Sequence, residues 1–139
     1  MLKEQEIILQ DGGEQKKFRI RQMPATKAEA WVLKMIFLLG GEAELDKLDD
    51  PIAIFNAIAN KPFEKVQELL DKLLACVSRV HDGGIETQLT PDNVDGYVED
   101  MPTLLKLRVE AFKFNNFFQK GGLNAFGVSP APTTIPRKK

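Results

Sequence analysis

The segment at residues 18–31, FRIRQMPATKAEAW, constrains the fold more than any other stretch of the chain. It begins as an alternating apolar and basic run, which is typical of a half-buried strand. Met23 and Pro24 interrupt that run. Thr26 and Glu29 then stand three residues apart, which is the spacing of a capping box at the start of a helix. The segment therefore predicts a strand that passes directly into a helix.

The N-terminal residues predict a β-hairpin. Residues 4–10 and 16–22 flank the turn signal DGG at residues 11–13. Basic and apolar residues alternate in the second arm: Lys17, Phe18, Arg19, Ile20 and Arg21. We expect the apolar face to pack on helices, because a two-stranded ribbon is only marginally stable alone. The basic face is interpreted as solvated, and a contact surface for an acidic partner is the alternative.

Apolar periodicity predicts four principal helices, near residues 26–39, 51–60, 62–81 and 102–120. Glycine pairs or DGG follow the first and third helices and are interpreted as helix ends. Apolar residues in the third recur every three or four positions: Phe63, Val66, Leu70, Leu73, Val77 and Val80. Residues 85–89 alternate like a short strand, and a helical turn is predicted after Pro91. The predicted fold class is mainly α, with a minor β-hairpin.

The chain of 139 residues is long enough for one domain with a real core. We predict a helical domain over residues 1–122 and a flexible tail over residues 123–139. The tail contains three prolines and has too little apolar content to offset the entropy of ordering. The predicted core is formed by Trp31, Ile36, Leu70, Leu73, Val77, Leu104 and Leu107.

Composition excludes several classes of protein. A net charge of −1 and a pI near 5.9 argue against a nucleic-acid protein with a broad basic surface. The single cysteine, Cys76, rules out an intrachain disulfide framework and fits a reducing compartment. The most apolar run, residues 28–39, is too short to cross a membrane and is interrupted by charges. We expect a cytosolic protein without a signal peptide.

No residue pattern indicates catalysis. His81, the only histidine, is predicted at the C-terminal end of the third helix, where the helix dipole favours its charge. Cys76 is interpreted as a core residue, and its five-residue distance from His81 on one helix excludes a ready dyad. The acidic residues between positions 92 and 100 lack the register of a calcium loop. We therefore expect no enzyme, metal site or cofactor.

Aromatic residues near the end of the last helix are the candidate binding residues. Four phenylalanines occur within seven positions, at 112, 114, 117 and 118, and Phe126 follows. Such a group usually belongs to the core, but it also offers more apolar area than one small core readily hides, which favours a partner groove. The predicted partner-binding residues are Phe114, Phe117, Phe118 and Phe126.

Two segments carry a family resemblance. FRIRQMPATKAEAW at 18–31 and VDGYVEDMPTLLKLRVEAFKFNNFF at 94–118 resemble the tail assembly chaperones of long-tailed bacteriophages. The likeness consists of a hairpin, a Met-Pro-Ala segment leading into a helix, and a late acidic segment before a helix that ends in Asn and paired Phe. It covers most of residues 5–120.

The resemblance implies a non-enzymatic protein made in the host cytoplasm and absent from the mature virion. It implies binding to the tape-measure protein, which is kept soluble while tail-tube subunits polymerise around it, and the tail-tube protein is a second expected partner. We expect no nucleic-acid or membrane partner, and a monomer or weak homo-oligomer. The alternative is a small cytosolic helical adaptor or regulatory protein that binds a host or phage partner.

Overall fold

The computed structural model describes residues 2–39 and 51–115. Its elements follow in chain order: strands β1 (Glu4–Asp11) and β2 (Glu14–Arg21), helices α1 (Ala25–Leu39), α2 (Pro51–Ile58) and α3 (Phe63–Leu74), strands β3 (Val77–Val80) and β4 (Glu86–Gln88), and helix α4 (Met101–Asn115). Short 3-10 turns lie at Asp82–Gly84 and Val94–Gly96. Within these two ranges, no helix has the length and apolar character that a membrane span requires.

The N-terminal hairpin is confirmed. β1 and β2 are antiparallel, and the last pair, Asp11 and Glu14, encloses a two-residue turn. Gly12 and Gly13 have φ angles of 61° and 83°, which is the left-handed region that a two-residue turn of type I′ requires. Phe18 and Ile20 are almost fully buried, as their alternation with basic residues predicts.

The predicted fold class, mainly α with a minor hairpin, is wrong. The hairpin is half of a four-stranded antiparallel sheet in the order β1-β2-β3-β4. Of the residues that the structure describes, 53% are in helices and 23% are in strands. The sheet and the helices form one core, so the architecture is α+β.

The error lies in the predicted third helix, residues 62–81. The helix ends at Leu74, and the chain continues as β3, which pairs with β2 and then with β4. Val77 and Val80 are buried on this strand instead of continuing the helical stripe. The open edge of β2 explains the change, because pairing with β3 satisfies backbone groups of β2 that its pairing with β1 leaves free. The short strand predicted within residues 85–89 is confirmed as β4.

Most of the predicted core is confirmed. Trp31, Leu73, Val77 and Leu107 are each no more than 5% exposed. The other three predicted residues are partly buried and pack against this cluster: Ile36, Leu70 and Leu104. The core lies between the sheet and helices α1, α3 and α4.

Apart from the early end of α3, the described helix boundaries differ from the predicted ones by a residue or two. α1 begins at Ala25, and the Ala28 amide donates to the Pro24 carbonyl at 2.9 Å, so Thr26 lies inside the first turn instead of at the cap. α2 and the start of α4 lie close to their predicted positions. The predicted helix stop at residues 40–41, the predicted end of the last helix at 120 and the predicted tail at 123–139 lie outside the described residues.

One buried carboxylate fixes the start of α4 against the hairpin. The Asp11 side chain is fully buried and accepts hydrogen bonds from the amides of Glu99 and Asp100, each at 2.8 Å, and from Lys16 Nζ at 2.7 Å. Thr103 adds a bond from its hydroxyl to the Gln10 carbonyl at 2.7 Å. These bonds set the direction in which α4 crosses the sheet.

Candidate partner-binding cleft

A cleft of about 740 Å³ opens where the linker between β2 and α1 meets the C-terminal end of α3. We call it the α1 cleft. One helix face supplies part of its lining, because Lys27, Ala30, Trp31 and Lys34 recur at the spacing of neighbours on a helix. Side chains from β3 and β4 and the N-terminal Leu2 supply another part. Its volume lies in the range of sites that hold a ligand or several partner side chains.

The apolar part of the lining is held in place by the core. Met23, Trp31 and Cys76 line the cleft and are 7%, 2% and 7% exposed. Trp31 Nε1 donates to the Leu69 carbonyl at 3.0 Å, and its ring lies 6.0 Å from that of Phe112. The cleft therefore has a preformed wall.

Small residues keep the cleft open. Pro24, Ala30 and Ala75 line it and are exposed to solvent. An alanine on a helix face leaves space that a longer side chain would fill. Apolar side chains of a partner can therefore reach the surface above Trp31.

Positive charge surrounds the apolar lining. Two of its cations are neutralised by carboxylates, since Lys34 pairs with Glu68 at 2.6 Å and Arg21 with Glu86 at 2.8 Å. The hydrogen bond from Arg21 holds the pKa of the Glu86 carboxyl below its usual range, although partial burial opposes this. Lys27 and Lys72 are exposed and have no ion pair within 4 Å among residues 2–39 and 51–115. The α1 cleft thus carries an excess of positive charge.

The basic face of β2 is largely neutralised within the sheet. Arg19 pairs with Glu6 and Glu86, and Arg21 also pairs with Glu4 at 3.2 Å. These carboxylates raise the pKa of both arginines, chiefly through a hydrogen bond from Arg19 to Glu6 and from Arg21 to Glu86. The face is still in contact with solvent, since the side chains of Lys17 and Arg21 are 48% and 42% exposed, and carboxylates of β1 and β4 balance its charge.

The cysteine and the histidine have structural surroundings. Cys76 is buried, as predicted, and burial raises the pKa of its thiol to about 11, so it is protonated at neutral pH. His81 does not lie at the C-terminal end of a helix as predicted, because it follows strand β3 and precedes the 3-10 turn at Asp82–Gly84. Its Nε2 lies 3.0 Å from the Thr87 hydroxyl, and its ring meets that of Tyr97 edge-on at 5.5 Å. In the described part of the chain, no group of three or more His, Cys, Asp or Glu residues is arranged to hold a metal ion.

One of the four predicted binding residues lies in the part of the chain that the structure describes. Phe114 is partly buried and packs against the core near the end of α4. Phe117, Phe118 and Phe126 lie outside the described residues. Phe112, from the same aromatic group, is a core residue at 5% exposure.

The described end of α4 is tied to the α1 cleft. Asn115 Oδ1 accepts a hydrogen bond from the Met23 amide at 2.7 Å, and Asn115 Nδ2 donates to Cys76 Sγ at 3.7 Å. Met23 and Cys76 both line the cleft. The aromatic segment that begins at residue 117 therefore follows a helix end that is anchored beside the cleft.

Only part of this cleft can be predicted from the sequence. The helical spacing of Lys27, Ala30 and Lys34 around Trp31 is visible in the sequence. Lys72, however, belongs to a different helix and reaches the same cleft only through the packing of α3 beside α1. A cleft between two helices requires their relative placement, which periodicity does not supply.

Comparison with protein families identifies the class of protein. A family model described as "Phage tail assembly chaperone protein, TAC" matches residues 12–126. The chain belongs to this family of phage tail assembly chaperones, as its resemblance predicts. The comparisons with curated proteins and with solved structures gave no match.

Proposed function

We propose that this chaperone binds the tape-measure protein of its phage and keeps it soluble while the tail tube assembles. The observation that carries the proposal is the family match over residues 12–126. The role is that of a binding protein without catalysis, acting in the host cytoplasm and leaving before the virion is complete. The tail-tube protein is a second proposed partner.

The physical requirement for such a role is apolar surface that can be offered reversibly to a helical chain. A long helical chain aggregates through its apolar stripes, and a groove that covers one stripe competes with that aggregation. The α1 cleft supplies a preformed apolar wall, and the partly buried Phe114 lies on the helix that ends beside it. These features support the proposal.

We propose that Phe114, Phe117, Phe118 and Phe126 contribute to partner binding. Phe117 and Phe118 follow Asn115 by two and three residues. The helix that carries Phe114 is bonded to the α1 cleft through Asn115, which supports a partner surface that combines the cleft with this aromatic group.

Co-expression tests the proposal. The full chain and the tape-measure protein of the same phage are produced together, and the soluble tape-measure fraction and its co-purification are measured. We expect the parent chain to raise both, and Phe117→Ser with Phe118→Ser to lower both. Phe63→Ser is the matched control, because Phe63 is 68% exposed on α3 and outside the α1 cleft. A tape-measure protein that stays equally insoluble with the parent chain would overturn the proposed function.

A further inference from the structure

We propose that the α1 cleft docks an acidic segment that carries an apolar side chain, and that this segment belongs to the tape-measure protein. The inference rests on the proposed function and adds the chemistry by which the partner is recognised. The charge and the shape of the cleft both support this inference.

The shape and lining of the cleft favour a partner segment that inserts an apolar side chain. The deepest lining residues, Met23, Trp31 and Cys76, are apolar or uncharged side chains that the core holds in place. Ala30 and Ala75 leave the space above them open. An inserted leucine, methionine or phenylalanine would lose its water and contact these residues, which is the usual source of affinity at the centre of an interface.

The positive charge of the cleft favours a segment with acidic residues around its apolar side chain. After the Lys34–Glu68 and Arg21–Glu86 pairs are taken into account, Lys27 and Lys72 remain as the excess charge. They come from two helices, α1 and α3, so a bound segment can place a carboxylate towards each. Opposite charges at the rim of an interface chiefly improve selectivity and the association rate.

The protein's own C-terminal segment is a poor match for this cleft. Residues 116–139 contain Lys120, Arg137, Lys138 and Lys139 and no aspartate or glutamate. Like charges would therefore meet at the rim. An acidic segment complements the cleft. Residues 42–50 of this chain, EAELDKLDD, share that chemistry, so a peptide of this sequence that bound the cleft as tightly as the tape-measure peptides would overturn the assignment to the partner.

The test uses the full chain and synthetic peptides of about 20 residues that tile the tape-measure protein. Binding is followed by peptide fluorescence anisotropy and by the emission of Trp31, which is the only tryptophan and lines the cleft. We expect binding to concentrate in peptides that combine net negative charge with apolar residues, and to weaken as salt is raised. Preferential binding of uncharged or basic peptides would overturn the inference.

Variants locate the site. Lys27→Glu with Lys72→Glu should weaken binding of an acidic peptide about tenfold or more, since two favourable rim contacts become repulsive. Lys65→Glu with Lys106→Glu is the matched control, because it makes the same change in net charge at exposed helix positions outside the cleft. Ala30→Phe should block the apolar pocket without burying a new group in the core. Equal losses from the control pair, or none from Ala30→Phe, would contradict a specific site in the cleft.

The two proposals fail in different ways. If the cleft variants keep tape-measure protein soluble as well as the parent does and bind its peptides equally, the docking site is wrong and the chaperone function stands. If the parent does not solubilise the tape-measure protein, the proposed function is wrong. In that case, acidic peptides that bind the parent and not Ala30→Phe would still support the chemistry of the cleft.

Discussion

At the residue scale, Asp11 links parts of the chain that are almost 90 positions apart. The sequence marks it only as the first residue of a turn signal. In the structure it accepts bonds from the amides that precede α4 and pairs with Lys16, whose side chain is 8% exposed. Gly12 adds a bond from its amide to the Asp100 carboxylate at 2.9 Å. The turn of the hairpin is therefore also the anchor of the last helix.

The charge of Asp11 predicts a pH dependence of stability. Burial opposes its ionisation, but the hydrogen bonds from Lys16, Asp100 and Glu99 outweigh burial and lower its pKa from 3.8 to about 2. Because the folded pKa lies below the unfolded one, the stabilisation is fully present above about pH 4 and is lost as the pH falls towards 2. It amounts to about 2 kcal/mol. Urea unfolding between pH 2 and pH 7 measures it.

Asp11→Asn isolates this contribution. The variant should lose about 3 kcal/mol of stability at neutral pH, since it removes the main partner of a buried lysine. Its stability should also change less than the parent's between pH 4 and pH 2. Asp92→Asn, at an exposed position, is the control and should follow the parent curve. A parallel acid dependence for the parent and Asp11→Asn would show that other carboxylates are responsible.

At the element scale, the junction between α3 and β3 decides the architecture. Ala75 still has helical backbone angles, with φ −63° and ψ −14°, and the Cys76 amide donates to the Leu73 carbonyl at 3.0 Å. From Val77 onwards the backbone pairs with β2. Apolar residues at positions 77 and 80 fit a helix and a short buried strand equally well. The neighbouring strand, and not local periodicity, selects between them.

Truncation of a buried leucine tests the packing of α3. Leu73 is 5% exposed, so Leu73→Ala should cost roughly 2–5 kcal/mol, the range for a buried leucine. Leu105→Ala is the control because Leu105 is 45% exposed on α4, and its cost should stay within about 0.5 kcal/mol. Chemical denaturation measures the free energy of unfolding of each variant, and unchanged m-values make the comparison valid. A loss well under about 1 kcal/mol for Leu73→Ala would place this stripe outside the core.

At the scale of the whole molecule, α4 is held at both described ends. Its start is bonded to the hairpin through Asp11, and Asn115 at its other end is bonded to Met23 and Cys76. The helix thus connects the sheet's turn with the α1 cleft. This arrangement gives the cleft a rigid frame, which lowers the entropic cost of binding a partner.

Removal of residues 123–139 tests the predicted domain boundary at residue 122. We expect the thermal midpoint to fall by less than about 4 °C, because these residues add little to the predicted core. Capture of the tape-measure protein should weaken, since Phe126 is lost. Thermal unfolding of the parent and the truncated chain at one scan rate gives the comparison. A larger fall would mean that the segment stabilises the domain.

The sequence by itself determined the elements whose signals are local. The DGG turn and the alternation around Phe18 and Ile20 predicted the hairpin, because backbone sterics and the two-residue period of a strand act over a few positions. The apolar stripes predicted α1, most of α3 and α4. They also predicted the core positions of Trp31, Leu73 and Leu107. The aromatic group near residue 117 led to a binding hypothesis that remains a prediction.

Tertiary structure alone decided the features that depend on distant partners. Residues 77–80 became a strand because β2 had an open edge, and Asp11 became buried because α4 begins above it. The α1 cleft exists because Lys27, Trp31 and Lys72 are brought together from two helices. In each case the deciding contact joins residues that are far apart in the chain. No local pattern in the sequence indicates such a contact.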